Sequence, residues 1–579
     1  MSNQQIPRPE YPRPQMRREF WLNLNGIWQF EIDPGLSGQE KGWASGKEFS
    51  KEILVPFCPE SELSGIKNRD FMPSVWYRRS FKIPENWSNK HVWLHFGAVD
   101  YEATVWVNGR FVGGHRGGYT PFAFDITDFL QKGENELVLR VFDDTRSPTQ
   151  PTGKQSTRFD SYGCRYTRTT GIWQTVWLEA VPEPHITSLR MIPDVDAGRM
   201  ILTASLNRPF AGLRLRAVAQ VDGRAVAQAE TSAFAQSILL VLEPEEVRAW
   251  SPSDPFLYDL ILTLEEDGTV VDRVESYFGL RKVHIQAEKI LLNNQPVFQR
   301  LVLDQGFYPD GIYTAPTDEA LKHDIEIAKG LGFNGARLHQ KVFEPRFLYW
   351  ADRLGYLVWG EYPNWGIDHS RPELLEYMLP EWLEAVDRDF NHPSIVGWCP
   401  FNETPREQDP QLIRTVYRTT KLVDPSRPVI DTSGYVHVET DVYDCHSYEQ
   451  DAKKFAAFFE PFRKGESPWR NYPDHNVPWK GQPYFVSEYG GIWWNPGQKD
   501  EKSWGYGQRP RSEEEFLQRY RALTEALLFH PRMCGFCYTQ LYDIELEVNG
   551  LYTYDRKPKF DPGKIRAINS QLAAIEEKK

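Results

Sequence analysis

Two stretches of the chain end in a glutamate directly after an apolar run. Residues 395–403 close on the adjacent pair Asn402 and Glu403, and residues 484–491 carry Glu488, followed by two glycines that allow a tight turn. An unpaired carboxylate inside a strand is unfavourable, because burial opposes its charge and raises its pKa. Both patterns therefore predict a strand whose C-terminal end places a carboxylate outside the buried interior, where it can take part in chemistry.

Two carboxylates that face each other across one cavity are the catalytic groups typical of glycoside hydrolysis. One must be protonated to give a proton to the leaving oxygen, and the other must be ionised to attack the anomeric carbon. Asn402 could bond the 2-hydroxyl of the sugar, a contact that strengthens in the transition state. The alternative is two strand-end glutamates that are only solvated or ion-paired. For catalysis with retention, Glu403 and Glu488 are expected about 5–5.5 Å apart, against about 6.5 Å or more for inversion.

Alternating strand and helix patterns surround both glutamates from about residue 284. The strand candidates begin at Val297, Asn334, Tyr356, Ile395, Val429, Val442, Tyr484 and Met533. The helix candidates between and after them include residues 318–331, 344–354, 380–390, 410–423, 513–529 and 562–576. This alternation predicts a C-terminal (β/α)8 TIM barrel, whose active site lies at the C-terminal ends of the strands. A doubly wound open sheet is the alternative, but no glycine-rich phosphate loop follows any strand, so nucleotide binding has no support.

Further polar side chains end neighbouring strands of the predicted barrel and are candidate substrate-binding residues. With Asn402 they are Asp304, Arg337, His339, Glu361, His446, Tyr448 and Tyr538. Each alone is more commonly structural than functional, and Arg337 is expected to be the buried partner that keeps Glu488 ionised. No H-E-x-x-H or comparable ligand spacing is present, so neither a metal nor a cofactor is expected.

The preceding residues are predicted to be all-β. Short runs rich in aromatic and β-branched residues, with an Asn108-Gly109 hairpin turn, predict an N-terminal jelly-roll β-sandwich over residues 1–182. Residues 183–283 have the size and strand pattern of an immunoglobulin-like β-sandwich. A long polar segment, residues 143–170, interrupts the first domain and carries Lys154, Gln155 and Arg158. Long loops of this kind are commonly functional, so it is expected to reach the barrel mouth.

Composition limits the partners of the chain. Its 579 residues carry a net charge of -13, which argues against nucleic acid or an anionic membrane as a partner. The 14% aromatic content favours carbohydrate, although large aromatic cores explain it equally well. No signal peptide or bilayer-spanning run is evident, and six scattered cysteines suit reduced thiols in a cytoplasmic protein. The sequence is compatible with a homo-oligomer.

Several motifs together resemble glycoside hydrolase family 2, the family of β-galactosidases, β-glucuronidases and β-mannosidases. The resemblance covers nearly the whole chain in the family's order of domains. The matching stretches are residues 171–178, which close the first domain, Asn334 to Arg337, residues 352–359 with Glu361, Asn402-Glu403, and Ser487 to Gly490. The resemblance implies a retaining exo-glycosidase with Glu403 as acid/base and Glu488 as nucleophile.

Departures from the family pattern bear on the sugar. The β-glucuronidases carry an N-x-K pair beyond strand eight that holds the sugar carboxylate, and here Asn549-Gly550-Leu551 lacks the lysine. Gln340 occupies a common histidine position, and Tyr538 lies in the strand-eight run where many members have tryptophan. A β-galactosidase-like activity is therefore expected first. A furanosidase (galactofuranosidase or arabinofuranosidase), a β-glucuronidase or galacturonidase, and a non-catalytic carbohydrate-binding protein are the alternatives.

Overall fold

The computed structural model describes residues 6–497 and 502–577. Residues 1–5, on which part of the expectation of no signal peptide rests, lie outside that range. Within the described ranges, no helix has the length and apolar character needed to cross a membrane.

The first domain is a β-sandwich of antiparallel sheets. Its strands are β1 Trp21–Asn23, β2 Gly26–Ile32, β3 Lys51–Val55, β4 Ser74–Lys82, β5 His91–Phe96, β6 Val99–Asp100, β7 Glu102–Val107, β8 Arg110–Arg116, β9 Phe122–Asp125, β10 Glu134–Phe142, β11 Gly171–Ile172 and β12 Val176–Val181. One sheet has the order β1-β12-β5-β9 and the other the order β3-β2-β4-β10-β7-β8. Alternating side chains such as Phe30, Tyr77, Leu94 and Leu139 fill the space between them, as period-2 strands require.

The second domain is a smaller sandwich. Its strands are β13 Ile186–Asp194, β14 Arg199–Leu206, β15 Leu213–Val221, β16 Arg224–Ser232, β17 Ser237–Leu242, β18 Tyr258–Glu266 and β19 Thr269–Phe278. They form sheets of order β13-β14-β17 and β16-β15-β18-β19. A small meander, β20 Val283–Gln286, β21 Lys289–Leu292 and β22 Gln295–Pro296, leads into the third domain.

The third domain is a barrel of parallel strands. They are β23 Gln299–Asp304, β24 Gly335–Leu338, β25 Leu357–Glu361, β26 Ile395–Cys399, β27 Phe401–Asn402, β28 Thr432–Ser433, β29 Tyr443–Ser447, β30 Tyr484–Gly490 and β31 Met533–Thr539. Seven of them form one sheet of order β26-β25-β24-β23-β31-β30-β29. The short pair β27 and β28, with a bridge between Trp398 and Val429, spans the remaining side. The predicted fold class is confirmed.

Helices cover the outside of the barrel. They are α1 Asp318–Gly330, α2 Pro345–Leu354, α3 Leu375–Asp389, α4 Pro410–Val423, α5 Ala452–Arg463, α6 Glu513–Leu528 and α7 Pro562–Asn569. Side-chain caps mark five of their starts: Thr317, Asp409, Asp451, Ser512 and Asp561 each accept a hydrogen bond from a first-turn backbone N–H.

Three elements differ from their predicted bounds by more than two residues. Helix α3 begins at Leu375 rather than at Pro380, because the proline lies inside the helix instead of at its first turn. Helix α7 ends at Asn569, and a separate 3₁₀ turn, Ala574–Glu576, follows it. The fifth strand, expected from Val429, is reduced to Thr432–Ser433 with a single bridge at Val429.

Candidate active site

The two glutamates of the sequence motifs face each other at the C-terminal ends of the barrel strands. Glu403 directly follows β27, and Glu488 lies near the end of β30. One ligand atom each from Glu403, His446 and Glu488 lies within 4.8 Å of the others. At least one oxygen of Glu403 therefore lies within 4.8 Å of an oxygen of Glu488, a close approach of the kind expected for retention rather than for the roughly 6.5 Å or more of inverting enzymes.

The backbone of Glu403 is held in an unusual conformation. Its φ of 50° lies in the left-handed region, which non-glycine residues rarely occupy. A backbone hydrogen bond of 2.9 Å from the Glu403 N–H to the Ser433 carbonyl fixes this turn. Such strain concentrates at functional sites, and the carboxylate of this residue lies within 4.8 Å of that of Glu488.

A fully buried arginine on β24 anchors Glu488. Nη1 of Arg337 lies 3.2 Å from Oε1 of Glu488 and donates a 2.7 Å hydrogen bond to the Ser487 carbonyl. Its Nη2 pairs with Glu361 and lies 3.0 Å from Oδ1 of Asn402. One guanidinium thus fixes the ends of β25, β27 and β30 at the same point.

The surroundings of Glu488 favour its ionised form. Burial opposes the charge, but the charges of His446, His339, Arg337 and Lys154 outweigh it and lower the pKa of Glu488 to about 2. The phenol of Tyr448 also donates a 2.5 Å hydrogen bond to Oε2 of Glu488. At neutral pH Glu488 is therefore a carboxylate, which is the state a nucleophile needs.

His446 on β29 lies between the two glutamates. Its Nδ1 is 2.7 Å from Oε1 of Glu403 and 3.5 Å from Oε2 of Glu488. Its Nε2 is 3.1 Å from the hydroxyl of Ser433. Burial lowers the pKa of His446, but Glu488 and Glu403 outweigh that effect and raise it. The same three ligand atoms have a spacing that could hold a metal ion.

His339, Glu361 and Asn402 complete the group predicted around the pair. Nδ1 of His339 lies 2.9 Å from Oε2 of Glu361 and 3.9 Å from Glu488. Burial lowers the pKa of His339, and Glu361 and Glu488 oppose that effect without outweighing it. Among the described residues, Nδ2 of Asn402 is buried without a hydrogen-bond partner. That amide N–H is available to a bound sugar.

The structure does not bring Asp304 or Tyr538 to the glutamates. The Asp304 carboxylate accepts hydrogen bonds from the Gly306 N–H and from Tyr542, deep in the barrel wall. Tyr538 packs between Tyr489 and Tyr520, on the helix side of β31. Side chains alternate along a strand, so Tyr538 faces outward and the next residue, Thr539, faces the mouth, 3.1 Å from the Tyr448 hydroxyl.

The polar segment of residues 143–170, hereafter the jelly-roll loop, docks on the barrel mouth, as predicted. The backbone N–H groups of Thr152 and Gly153 donate to the Trp365 carbonyl at 2.8 and 3.0 Å. The Lys154 ammonium lies 4.3 Å from the centre of the Trp365 ring. Arg158 does not join this contact, because it is exposed and stacks on Tyr162 within the loop.

Sequence reasoning missed several residues that line the mouth. Trp365 donates from Nε1 to the Asn402 carbonyl at 3.1 Å, and Tyr506 stacks on Tyr448. Glu547, beyond β31, accepts hydrogen bonds from Tyr166 of the jelly-roll loop and from Asn549. All of these lie in loops, where no strand-end pattern marks them. An aromatic residue four positions after Glu361 was the one available signal for Trp365.

Family models match the three domains in order. The sugar binding domain of the glycosyl hydrolases family 2 matches residues 22–182, the family 2 central model matches residues 184–281, and the family 2 TIM barrel domain matches residues 283–573.

The chain belongs to glycosyl hydrolase family 2.

Its activity class is therefore the hydrolysis of glycosidic bonds. This chain is 25% identical to a β-glucuronidase of Paenibacillus borealis, over 98% of this chain and 100% of that protein. It is 28% identical to a β-galactosidase of Thermoanaerobacter pseudethanolicus, over 63% of this chain and 49% of that longer protein.

A solved structure of a family 2 relative has the same fold. The β-glucuronidase from Ruminococcus gnavus in complex with D-glucuronic acid superposes with a TM-score of 0.80 at 21% identity. The match covers 97% of this chain and 100% of that chain. At this identity the likeness concerns the arrangement of domains, not the identity of the sugar.

Proposed function

We propose that this protein is an exo-acting retaining β-glycosidase in which Glu488 is the nucleophile and Glu403 the acid/base. The observation that carries the proposal is the short gap between two carboxylates in unequal surroundings. Glu488 is buried among Arg337, His446 and Tyr448, which favour its charge. Glu403 bonds to His446 and keeps 16% of its side chain exposed at the mouth, where a leaving group and water can reach it.

The first step of the proposed reaction forms a covalent intermediate. A carboxylate oxygen of Glu488 attacks the anomeric carbon while the bond from that carbon to the leaving oxygen breaks. The carboxylic acid of Glu403 gives its proton to the leaving oxygen, so the aglycone departs as a neutral alcohol.

The second step releases the sugar. Glu403, now a carboxylate, takes a proton from water as the water oxygen attacks the anomeric carbon. The bond between that carbon and Glu488 breaks, and Arg337 is placed to stabilise the returning carboxylate charge. Two inversions at one carbon give net retention.

Asn402 is placed to strengthen sugar binding in the transition state. Its Oδ1 is fixed by Nη2 of Arg337 at 3.0 Å, and among the described residues its Nδ2 has no partner. The amide is thereby oriented with a donor left for the 2-hydroxyl, the contact expected from the sequence.

Two sugar classes are candidates for the terminal residue. The missing lysine at Leu551 favours a neutral sugar, with galactose first and a furanoside as its variant. A uronic acid is the second candidate, because a buried ammonium, Lys154, lies at the mouth. The relatives reported above carry both kinds of name.

Product stereochemistry tests the proposal directly. A panel of nitrophenyl β-glycosides, neutral and uronic, identifies a substrate, and proton NMR follows the first-formed anomer of the released sugar. Retention requires the β-anomer to appear first and then to mutarotate. An α-anomer appearing first contradicts the two-step mechanism, and silence across the whole panel favours a non-catalytic carbohydrate-binding protein.

A further inference from the structure

Lys154 is a buried ammonium contributed to the barrel mouth by the jelly-roll loop. Only 7% of the residue is exposed, and its Nζ lies 4.3 Å from the centre of the Trp365 ring. Burial opposes its charge, but Cys164, Glu547 and the two catalytic glutamates outweigh that effect and raise its pKa. Lys154 is therefore a cation that lies against Trp365 and interacts electrostatically with the catalytic pair.

Lys154 differs from the other buried lysines in having no polar partner. Lys341 donates to the Gly306 and Tyr313 carbonyls at 2.6 and 2.8 Å, and Lys559 pairs with Asp543 at 2.5 Å. In the part of the chain that the structure describes, the Lys154 ammonium has an aromatic neighbour but neither an ion pair nor a hydrogen bond. Burying an ammonium is unfavourable unless an opposite charge and hydrogen bonds compensate it. Its three N–H donors are free for a ligand.

The position of Lys154 points to the substrate as that ligand. The ring of Trp365 lies beneath the ammonium and donates from Nε1 to the carbonyl of Asn402, the residue before Glu403. The guanidinium of Arg165 lies 4.8 Å from the same ring and its Nη1 donates to the Gly153 carbonyl at 2.7 Å. The loop backbone that carries Lys154 is thereby fixed next to the acid/base.

The buried arginine that the barrel places beside Glu488 is not available to the sugar. Arg337 is occupied by Glu361, Glu488 and Asn402. Leu551, where the family resemblance would place a lysine in β-glucuronidases, is buried and apolar. An anionic sugar bound beside Glu488 would meet the negative charge of that carboxylate, which a positive partner from another element would offset.

We propose that Lys154 binds an anionic group on the terminal sugar. In place of the neutral sugar ranked first above, the substrate is then a uronide or a sugar carrying a sulfate or phosphate ester. This inference rests on the proposed glycosidase function and assigns its substrate class. A charge-assisted hydrogen bond to an anion is about twice as strong as one to a neutral hydroxyl. Arg165 is a positioning residue for the loop.

Substrates matched except at the exocyclic carbon test the proposal. The wild type, Lys154→Met and Lys154→Arg are compared on nitrophenyl β-galactoside, β-galacturonide, β-galactoside 6-sulfate and 6-phosphate, and on the β-glucoside and β-glucuronide pair. The wild type should show kcat/KM about 100-fold higher on one anionic member than on its neutral counterpart. Which anionic member is hydrolysed distinguishes a carboxylate from an ester.

The variants separate recognition from folding. Lys154→Met should lower kcat/KM on the anionic substrate roughly 10- to 100-fold, the loss expected for one charged hydrogen bond, and change the neutral counterpart less than about threefold. Lys154→Arg should retain part of the anionic activity. Arg158→Met, which removes an exposed cation of the same loop, should match the wild type, and thermal unfolding midpoints show whether each variant is folded.

Three outcomes overturn the inference, and the first two leave the glycosidase proposal intact. A wild type that prefers the neutral sugars would show that the ammonium does not select an anion. Equal losses on neutral and anionic substrates in a folded Lys154→Met would assign the lysine to structure alone. Silence of the wild type on every glycoside would remove the proposed function, and this inference with it.

Discussion

Nδ1 of His446 lies 2.7 Å from Oε1 of Glu403. The same nitrogen is 3.5 Å from Oε2 of Glu488, so a proton on this ring faces both carboxylates. His446 is the first of the groups that lower the pKa of Glu488 against the effect of burial. The ionisation of the proposed nucleophile is therefore coupled to a histidine that sits on the proposed acid/base.

Replacing His446 by glutamine should shift the acidic limb of the pH–rate profile. Glu488 is active as a carboxylate, so activity is present above its pKa and lost as pH falls through it. Removing the nearby positive charge raises that pKa, and the acidic limb of kcat/KM should move upward by about one pH unit or more. His323→Gln, on an exposed turn of α1, is the control. An acidic limb that coincides with that of the wild type would contradict the coupling.

The two glutamates should respond differently to removal and to azide. Glu488→Ala lacks the proposed nucleophile and should be inactive on every substrate. Glu403→Ala should still be glycosylated by substrates with acidic leaving groups and then stall, because no base activates water. Azide needs no base, so it should rescue Glu403→Ala with a β-glycosyl azide, identified by NMR. A β-azide from the Glu488 variant would reverse the assigned roles.

The free amide N–H of Asn402 predicts that two changes have non-additive effects on kcat/KM. The changes are the substitution Asn402→Ala and the removal of the 2-hydroxyl from the substrate. Asn402→Ala should lower kcat/KM by about 10- to 100-fold on a normal glycoside, because a transition-state hydrogen bond is lost. On the corresponding 2-deoxy glycoside, which lacks the acceptor, the same substitution should cost much less. The kcat/KM values of the wild type and Asn402→Ala on the normal and the 2-deoxy glycoside give the coupling free energy between the amide and the 2-hydroxyl. Strictly additive losses would mean that Asn402 does not contact the 2-hydroxyl.

Two glycines of the jelly-roll loop provide a matched test of its docking. Gly153 has φ 56°, and a Cβ there would lie 2.3 Å from the Gln340 carbonyl, whereas Gly163 has φ 52° and nothing within 4 Å. Both alanine variants carry similar backbone strain, but only Gly153→Ala must displace the loop from the barrel. Its kcat/KM should fall at least about tenfold, since small misplacements cost much catalysis. The kcat/KM of Gly163→Ala should stay near that of the wild type. Equal losses of kcat/KM in the two variants would show that activity does not depend on docking of the loop.

His437 should make the stability of the barrel depend on pH. Burial lowers its pKa, but Asp431 and Asp444, at 2.8 and 3.0 Å, outweigh burial and raise it to about 10. A folded pKa above the unfolded value stabilises the protein below about pH 6.5 and loses that effect as pH rises towards 10. The difference in unfolding midpoint between wild type and His437→Gln should therefore be largest near pH 6 and shrink towards pH 10. A difference independent of pH would show that the histidine is not charged.

Strand-end residues were the predictable part of the site. Glu403, Glu488, Arg337 and His446 end parallel strands of one barrel, and the fold alone requires such ends to meet. The alternation of strand and helix patterns placed most barrel elements within two residues of their observed starts. Tyr538 was misplaced because a strand-end position does not reveal which face a side chain takes, and a shift of one residue reverses it.

Residues brought from outside the barrel strands could not be located in advance. Lys154 lies about 330 positions before Glu488 in sequence, and no local period relates the two. Its place depends on a backbone contact between Gly153 and Trp365 that only the assembled domains create. Glu547 likewise has no marker except the hydrogen bond to Tyr166 that it makes in the folded protein.

The contact between Tyr166 and Glu547 sets the order in which the enzyme becomes complete during synthesis. The two residues are 381 positions apart, and a ribosome adding about 5–20 residues per second needs roughly 20–75 s to cover that distance. Throughout this interval the jelly-roll domain can fold, but its long loop remains exposed to solvent because its barrel partner has not been synthesised. The contact at the mouth forms only after the last barrel strand emerges, so a nascent chain carries the proposed acid/base and nucleophile before that contact exists.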